Sequence, residues 1–150
     1  MTAALFAFAH FLALFALTTA LVTQLVLLSG TMTVETARRI QRADRVYGLS
    51  AGLLLLFGLG RVIWFEKGTD YYFHNLFFLT KIVLFVIAGL LSTYPTRTYL
   101  GWRRMLAENV LPDLSDNKMQ SLKKSMHWQL IIIMAVIFCA SMMAKGFGKF

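Results

Sequence analysis

Four long apolar runs alternate with polar, mostly basic connections along the chain. The first run extends from Ala4 to Leu28, the second from Val46 to Phe65, the third from Asn75 to Tyr94 and the fourth from His127 to Ala144. At a rise of about 1.5 Å per residue, runs of this size match a hydrocarbon core of ~30 Å. The pattern predicts an all-α four-helix transmembrane bundle forming one integral membrane domain over residues 1–150. The connection from Ser29 to Arg45 has a plausible N-cap in Thr33, an acid at Glu35, and then Arg38, Arg39, Arg42 and Arg45. It reads as a short amphipathic surface helix. The connection from Thr96 to Met126 is broken at Pro112-Asp113, which predicts two more surface helices, the second capped by Ser115. The N-terminal run lacks a basic leader and is too long for the apolar stretch of a signal peptide, so it reads as a mature helix.

Periodicity assigns faces to these helices. His10, Leu17 and Gln24 recur every seven residues, with Ala13 and Ala20 on the same face, so this face should look into the bundle. Tyr47, Ala51, Leu54, Gly58 and Arg61 share a face of the second span. Gly48 and Gly52 form a small-xxx-small pair that suggests close helix packing. In the third span the polar or small face holds His74, Phe78, Lys81, Phe85, Ala88 and Ser92, and Pro95 should end that helix. In the fourth, one face holds His127, Ile131, Met134, Phe138, Ser141 and Lys145.

Composition agrees with the membrane reading: 58% of residues are apolar and 15% charged. The net charge of +8 arises mainly from two clusters beside spans, which argues for lipid headgroups and against nucleic acid. Ten of the fifteen Lys and Arg residues lie in the first and third connections. The positive-inside rule therefore places those connections in the cytoplasm and both termini outside, as in a multi-pass protein of the bacterial inner membrane. The single cysteine, Cys139, falls within a span and forms no metal-ligand pattern.

With this topology His10 and Lys81 each lie about 9 Å in from the outer ends of their helices, and Arg61 about 6 Å in. His74 and Lys145 come just above that level, while His127 lies at the opposite end. An ammonium inside a bilayer is costly, so Lys81 is a candidate for function. No acid falls within any of the four spans. Lys81 and Arg61 therefore either snorkel to the surface or hold an anionic ligand. A porphyrin would use an imidazole for its metal, cations for its propionates and Phe-rich walls for its ring. A neutral Lys81 could instead transfer protons. His10 alone, however, is more often a packing residue than a ligand. Trp64, Tyr71, Tyr72 and Trp128 read as interfacial anchors. The methionines fit packing better than copper binding.

Gly58 and Arg61, Lys67-Gly68, Tyr71-Tyr72, Asn75, Phe77-Phe78, Lys81, Gly89-Leu90-Leu91-Ser92 and Tyr94-Pro95-Thr96 together resemble a bacterial four-span family of the CopD-like superfamily, an uncharacterised family without an assigned activity. More distantly, His10, Lys81, the Arg38-Arg39 and Tyr47-Gly48 segments and the Lys145-Gly146-Phe147 tail are similar to the HemJ-type membrane protoporphyrinogen IX oxidases. That resemblance implies haem b, with His10 and Lys81 at the two functional positions; joined to the shared depth, it makes His10 the iron ligand, sets Arg61, His74 and Lys81 toward a propionate or porphyrin, and gives Lys81 the catalytic role. It also implies an oxidoreductase passing electrons to quinone. The other readings are a non-enzymatic permease of the CopD-like metal-uptake type and an accessory assembly subunit. A four-helix bundle leaves little room for a macrocycle within one chain, so a homo-oligomer is part of the expectation.

Overall fold

In a computed structural model that describes residues 1–65 and 73–148, the chain is helical, with no strand among the described residues. Helix α1 spans Thr2–Ser29, α2 Val34–Gly60, α3 Leu76–Gly101, α4 Arg103–Ala107 and α5 Asp116–Ala144. The residues Arg61–Phe65 continue α2 as a π-helical turn. The four long helices are each long and apolar enough to cross a membrane. They pack as two antiparallel hairpins, α1 on α2 and α3 on α5, joined through α1–α5 and α2–α3. Among the described residues no Cα pair between α1 and α3 comes within 8 Å, so these two helices stand at opposite corners.

The helices are longer than the apolar runs that announced them. The α2 helix has 27 residues and α5 has 29, more than a ~30 Å core requires. The basic segments expected as surface helices are indeed helical, but two of them continue into the spans without a break. Thr33 caps α2 as expected, its Oγ1 accepting from the Thr36 N–H at 3.1 Å, and Glu35 pairs with Arg39. Ser115 precedes α5 without a side-chain capping bond. Only α4 is separate. It is tied to α2 by Arg38, whose Nη2 donates to the Leu106 carbonyl at 2.9 Å and to Asn109 Oδ1 at 2.7 Å.

Helix α3 also passes through Pro95 and ends six residues later, a correction to the expected stop. A proline leaves the carbonyl four residues earlier without its helical donor, here Leu91. The Ser125 hydroxyl on α5 supplies one at 3.1 Å. A neighbouring helix can restore a lost backbone bond in this way inside a membrane.

The main core lies toward the arginine-rich end: Leu21 and Leu28 from α1, Ala37 and Ile40 from α2, Tyr99 and Trp102 near the end of α3, Leu106 from α4, and Leu122 and Met126 from α5. A smaller cluster of Val62, Phe78 and Met143 closes the end where the termini lie. The predicted α1 face is buried at Ala13, Leu17, Ala20 and Gln24, while Phe8, Phe11 and Phe15 face outward. Two face readings are corrected. Gly48 and Gly52 have nothing within 4 Å, so close packing falls to Gly58 and Gly60. The α5 face of Ile131, Met134 and Phe138 is exposed, and the packed face runs through Met126, Gln129, Ile133 and Cys139.

Candidate functional site

At the terminus-bearing end, α1 and α2 approach closely because α2 offers glycines there. A Cβ on Gly58 would lie 3.1 Å from His10 Cε1, and one on Gly60 would lie 2.8 Å from a Phe6 ring carbon. The missing side chain at 58 makes room for the half-buried imidazole. His10 Nδ1 then lies 3.1 Å from the Leu54 carbonyl oxygen. A carbonyl only accepts, so Nδ1 carries the hydrogen and, in the neutral ring, Nε2 keeps the lone pair. This is how proteins commonly orient a metal-binding histidine, with the second nitrogen fixed by a backbone carbonyl.

Arg61 occupies the π-helical turn, with its guanidinium 5.9 Å from the centre of the Phe11 ring. Such turns re-aim side chains and recur at functional sites. The Lys81 ammonium stands 4.9 Å from the Phe78 ring centre, one turn earlier on α3. Its stem therefore leans toward the terminus-bearing end, the direction of snorkelling. His74 is exposed just before α3. Because Val62 packs on Phe78, the ends of α2 and α3 meet at one level. His10 and Arg61 thus share one flank of the bundle, and Lys81 stands at the same end on the opposite corner. His127 is exposed far from them, with Nδ1 2.8 Å from the Lys123 carbonyl. Among the described residues no three His, Cys, Asp or Glu side chains gather as a metal-binding group. Glu66, Lys67, Gly68, Asp70, Tyr71, Tyr72 and Lys149 lie outside the described residues.

Two features escaped the sequence reading. Asn75 is fully buried and clamps the start of α3 to the C-terminal tail. Its Oδ1 accepts from the Phe77 and Phe78 N–H groups at 3.0 and 3.2 Å, and its Nδ2 donates to the Phe147 carbonyl at 2.9 Å. The Leu76 N–H donates to the Gly148 carbonyl at 2.8 Å. Gly146 and Gly148 both take positive φ, and a Cβ on Gly148 would fall 2.5 Å from the Phe77 ring. The signal available was the pairing of an Asn immediately before an apolar run with a Gly-x-Gly tail. The second feature is an acid within the helices. Asp44 lies inside continuous α2, half-buried, and accepts a 2.9 Å hydrogen bond from Thr96 Oγ1. Because α2 begins at Val34 and not at Val46, the second span carries an acid, a correction to the acid-free expectation.

Residues 2–148 match the model of a protein family described as predicted membrane protein (DUF2214). No curated protein and no solved structure matches the chain.

Proposed function

The chain belongs to this family of predicted membrane proteins, and from that premise we propose that it binds haem b at its terminus-bearing end through His10 and serves membrane redox chemistry. The observation that supports the reading is the held imidazole: Gly58 admits the ring and the Leu54 carbonyl fixes Nδ1, which presents Nε2 as a ligand. One imidazole satisfies the single protein ligand a haem iron needs. Arg61, with His74 nearer the surface, would face the propionates. Lys81, at the same end on the opposite corner, would reach a porphyrin substrate held between two copies of the chain and move its protons. When bound, the haem supplies one-electron chemistry, and the resemblance to HemJ-type oxidases suggests porphyrinogen oxidation with quinone as acceptor. The interior at this end is filled by Val62, Phe78 and Met143. A macrocycle would therefore lie against the outward Phe side chains of α1, or between two copies of the chain. The arginine-rich end would face the cytoplasm of a bacterial inner membrane, leaving both termini outside.

The test is an absorption spectrum of detergent-purified protein from haem-replete cells. Wild type should show a Soret band, and His10→Ala should lose it while keeping its helical circular dichroism, since one hydrogen bond contributes only about 1 kcal/mol. Lys81→Ala should keep the band and lose porphyrinogen oxidation. A wild-type sample without the band sinks the reading. It would leave the CopD-like permease and the accessory subunit as the functions to pursue, by solute uptake and partner co-purification.

A further inference from the structure

In the arginine-rich half, all four long helices send polar side chains to one level of the interior. Gln24 comes from α1, Asp44 and Tyr47 from α2, Ser92 and Thr96 from α3, and Ser125 and Gln129 from α5. Gln24 is 2% exposed, Gln129 1% and Tyr47 6%, in a helix bundle whose outward surface is apolar. Polar groups at such depth are costly unless they are engaged, and they mark sites more often than packing.

A relay starts from Pro95. The carbonyl it leaves without a donor, on Leu91, receives the Ser125 hydroxyl; Ser125 Oγ in turn accepts from Gln129 Nε2 at 3.3 Å. Gln129 thus spends an amide hydrogen on Ser125, which leaves its Oε1 as the acceptor end of the side chain. Gln129 then lines a narrow gap together with Gln24, Asp44, Tyr47 and Ser92. The Thr96 hydroxyl occupies one of the roughly four lone-pair positions of the Asp44 carboxylate. Among the described residues no lysine or arginine stands within 4 Å of Asp44. One turn beyond Pro95, the Tyr99 hydroxyl is buried without a hydrogen-bond partner and lies close enough to Asp44 to feel its charge.

We propose that this gap holds one monovalent cation, a sodium ion or a proton, against Asp44. The lining offers one carboxylate among uncharged polar side chains, so a single positive charge balances it, whereas a divalent ion would remain half compensated. The gap is too constricted to seat a water molecule. A narrow gap of this kind suits a dehydrated ion, or a proton shared with a neighbouring oxygen, better than a hydrated ion. The titratable groups facing Asp44 are Tyr47 on its own helix and Tyr99 on α3; α1 and α5 contribute only the uncharged carboxamides of Gln24 and Gln129. Its neighbour Arg45 is exposed. This site is independent of His10 and of any haem.

The experiment is thermal unfolding of detergent-purified protein in sodium chloride against choline chloride at equal ionic strength, with a pH series in choline. A ligand that binds only the folded state raises the midpoint saturably. For wild type the midpoint should rise with sodium, or, if a proton is the occupant, rise as the choline buffer is acidified with no sodium effect. Asp44→Asn should abolish whichever response wild type shows. Gln129→Leu, which keeps the carboxylate, should shift the half-saturating concentration roughly tenfold, and it serves alone if Asp44→Asn does not fold. A wild type indifferent to both sodium and acid, or a response retained undiminished in the variants, overturns the proposal.

Discussion

Asn75→Ala should lower the stability of the bundle by roughly 1–3.5 kcal/mol. The sum has two parts. Removing an N-cap side chain costs about 0.5–2 kcal/mol, because two N–H groups of the first turn of α3 lose their acceptor. The hydrogen bond to the carbonyl of the exposed Phe147 is lost as well, a net contribution of about 0.5–1.5 kcal/mol. Asn75→Ser separates the parts. A serine still caps the helix but does not reach the tail, so it should fall between wild type and alanine. Gly148→Ala attacks the same clamp from the other side, since φ is +84° there and the new Cβ would stand 2.5 Å from the Phe77 ring. Thermal unfolding in detergent, followed by circular dichroism, reads all three. An alanine variant within about 0.5 kcal/mol of wild type would show that the clamp does not hold the folded state together.

The clamp joins residues 72 apart, and this explains why periodicity did not reveal it. Periodicity reports one helix at a time. It found the spans, because crossing a bilayer demands length and low polarity together, and it found the α1 face through His10, Ala13, Leu17, Ala20 and Gln24. It succeeded there because that face carries small and polar groups that differ from the Phe and Leu around them. On α5 it pointed the wrong way. Lipid is as apolar as the interior, so Ile131, Met134 and Phe138 look like core while lying on the exposed face of the helix. The same ambiguity made Gly48 and Gly52 look like a packing seam, when the close approach occurs a turn or two later at Gly58 and Gly60.

Helix ends were misplaced for a different reason. Apolarity marks where hydrocarbon begins, not where a helix stops. The arginines of α2 stay helical above the membrane boundary because nothing in that segment breaks the backbone pattern, and Pro95 is tolerated because Ser125 meets the carbonyl it leaves open. Asp44 was therefore assigned to a connection while its carboxylate reaches Thr96 inside the bundle. Of the candidate site, the shared level of His10, Arg61 and Lys81 was legible from counting residues. That α1 and α3 are diagonal was not, since sequence order does not say which helices are neighbours.

The Gly58 position ties the fold to the proposed haem site most directly. Gly58→Leu should displace His10 from the Leu54 carbonyl, because even the first carbon of the new side chain would lie 3.1 Å from the imidazole and the remaining three would need the space the ring fills. Overpacking of this kind costs about 1–3 kcal/mol, so the variant should fold with a lowered unfolding midpoint. Its haem retention should drop far more than its stability. Residues that orient a metal-binding histidine typically alter affinity by 10–100-fold, and an imidazole rotated off its carbonyl no longer aims Nε2 at one place. Gly48→Leu is the matched control, on the same helix with nothing within 4 Å of its Cβ, and should change neither property. The two variants are compared by haem titration of purified protein, with unfolding midpoints measured alongside. Equal retention in both would mean that the His10–Leu54 contact is packing alone, and the axial-ligand reading would fall with it.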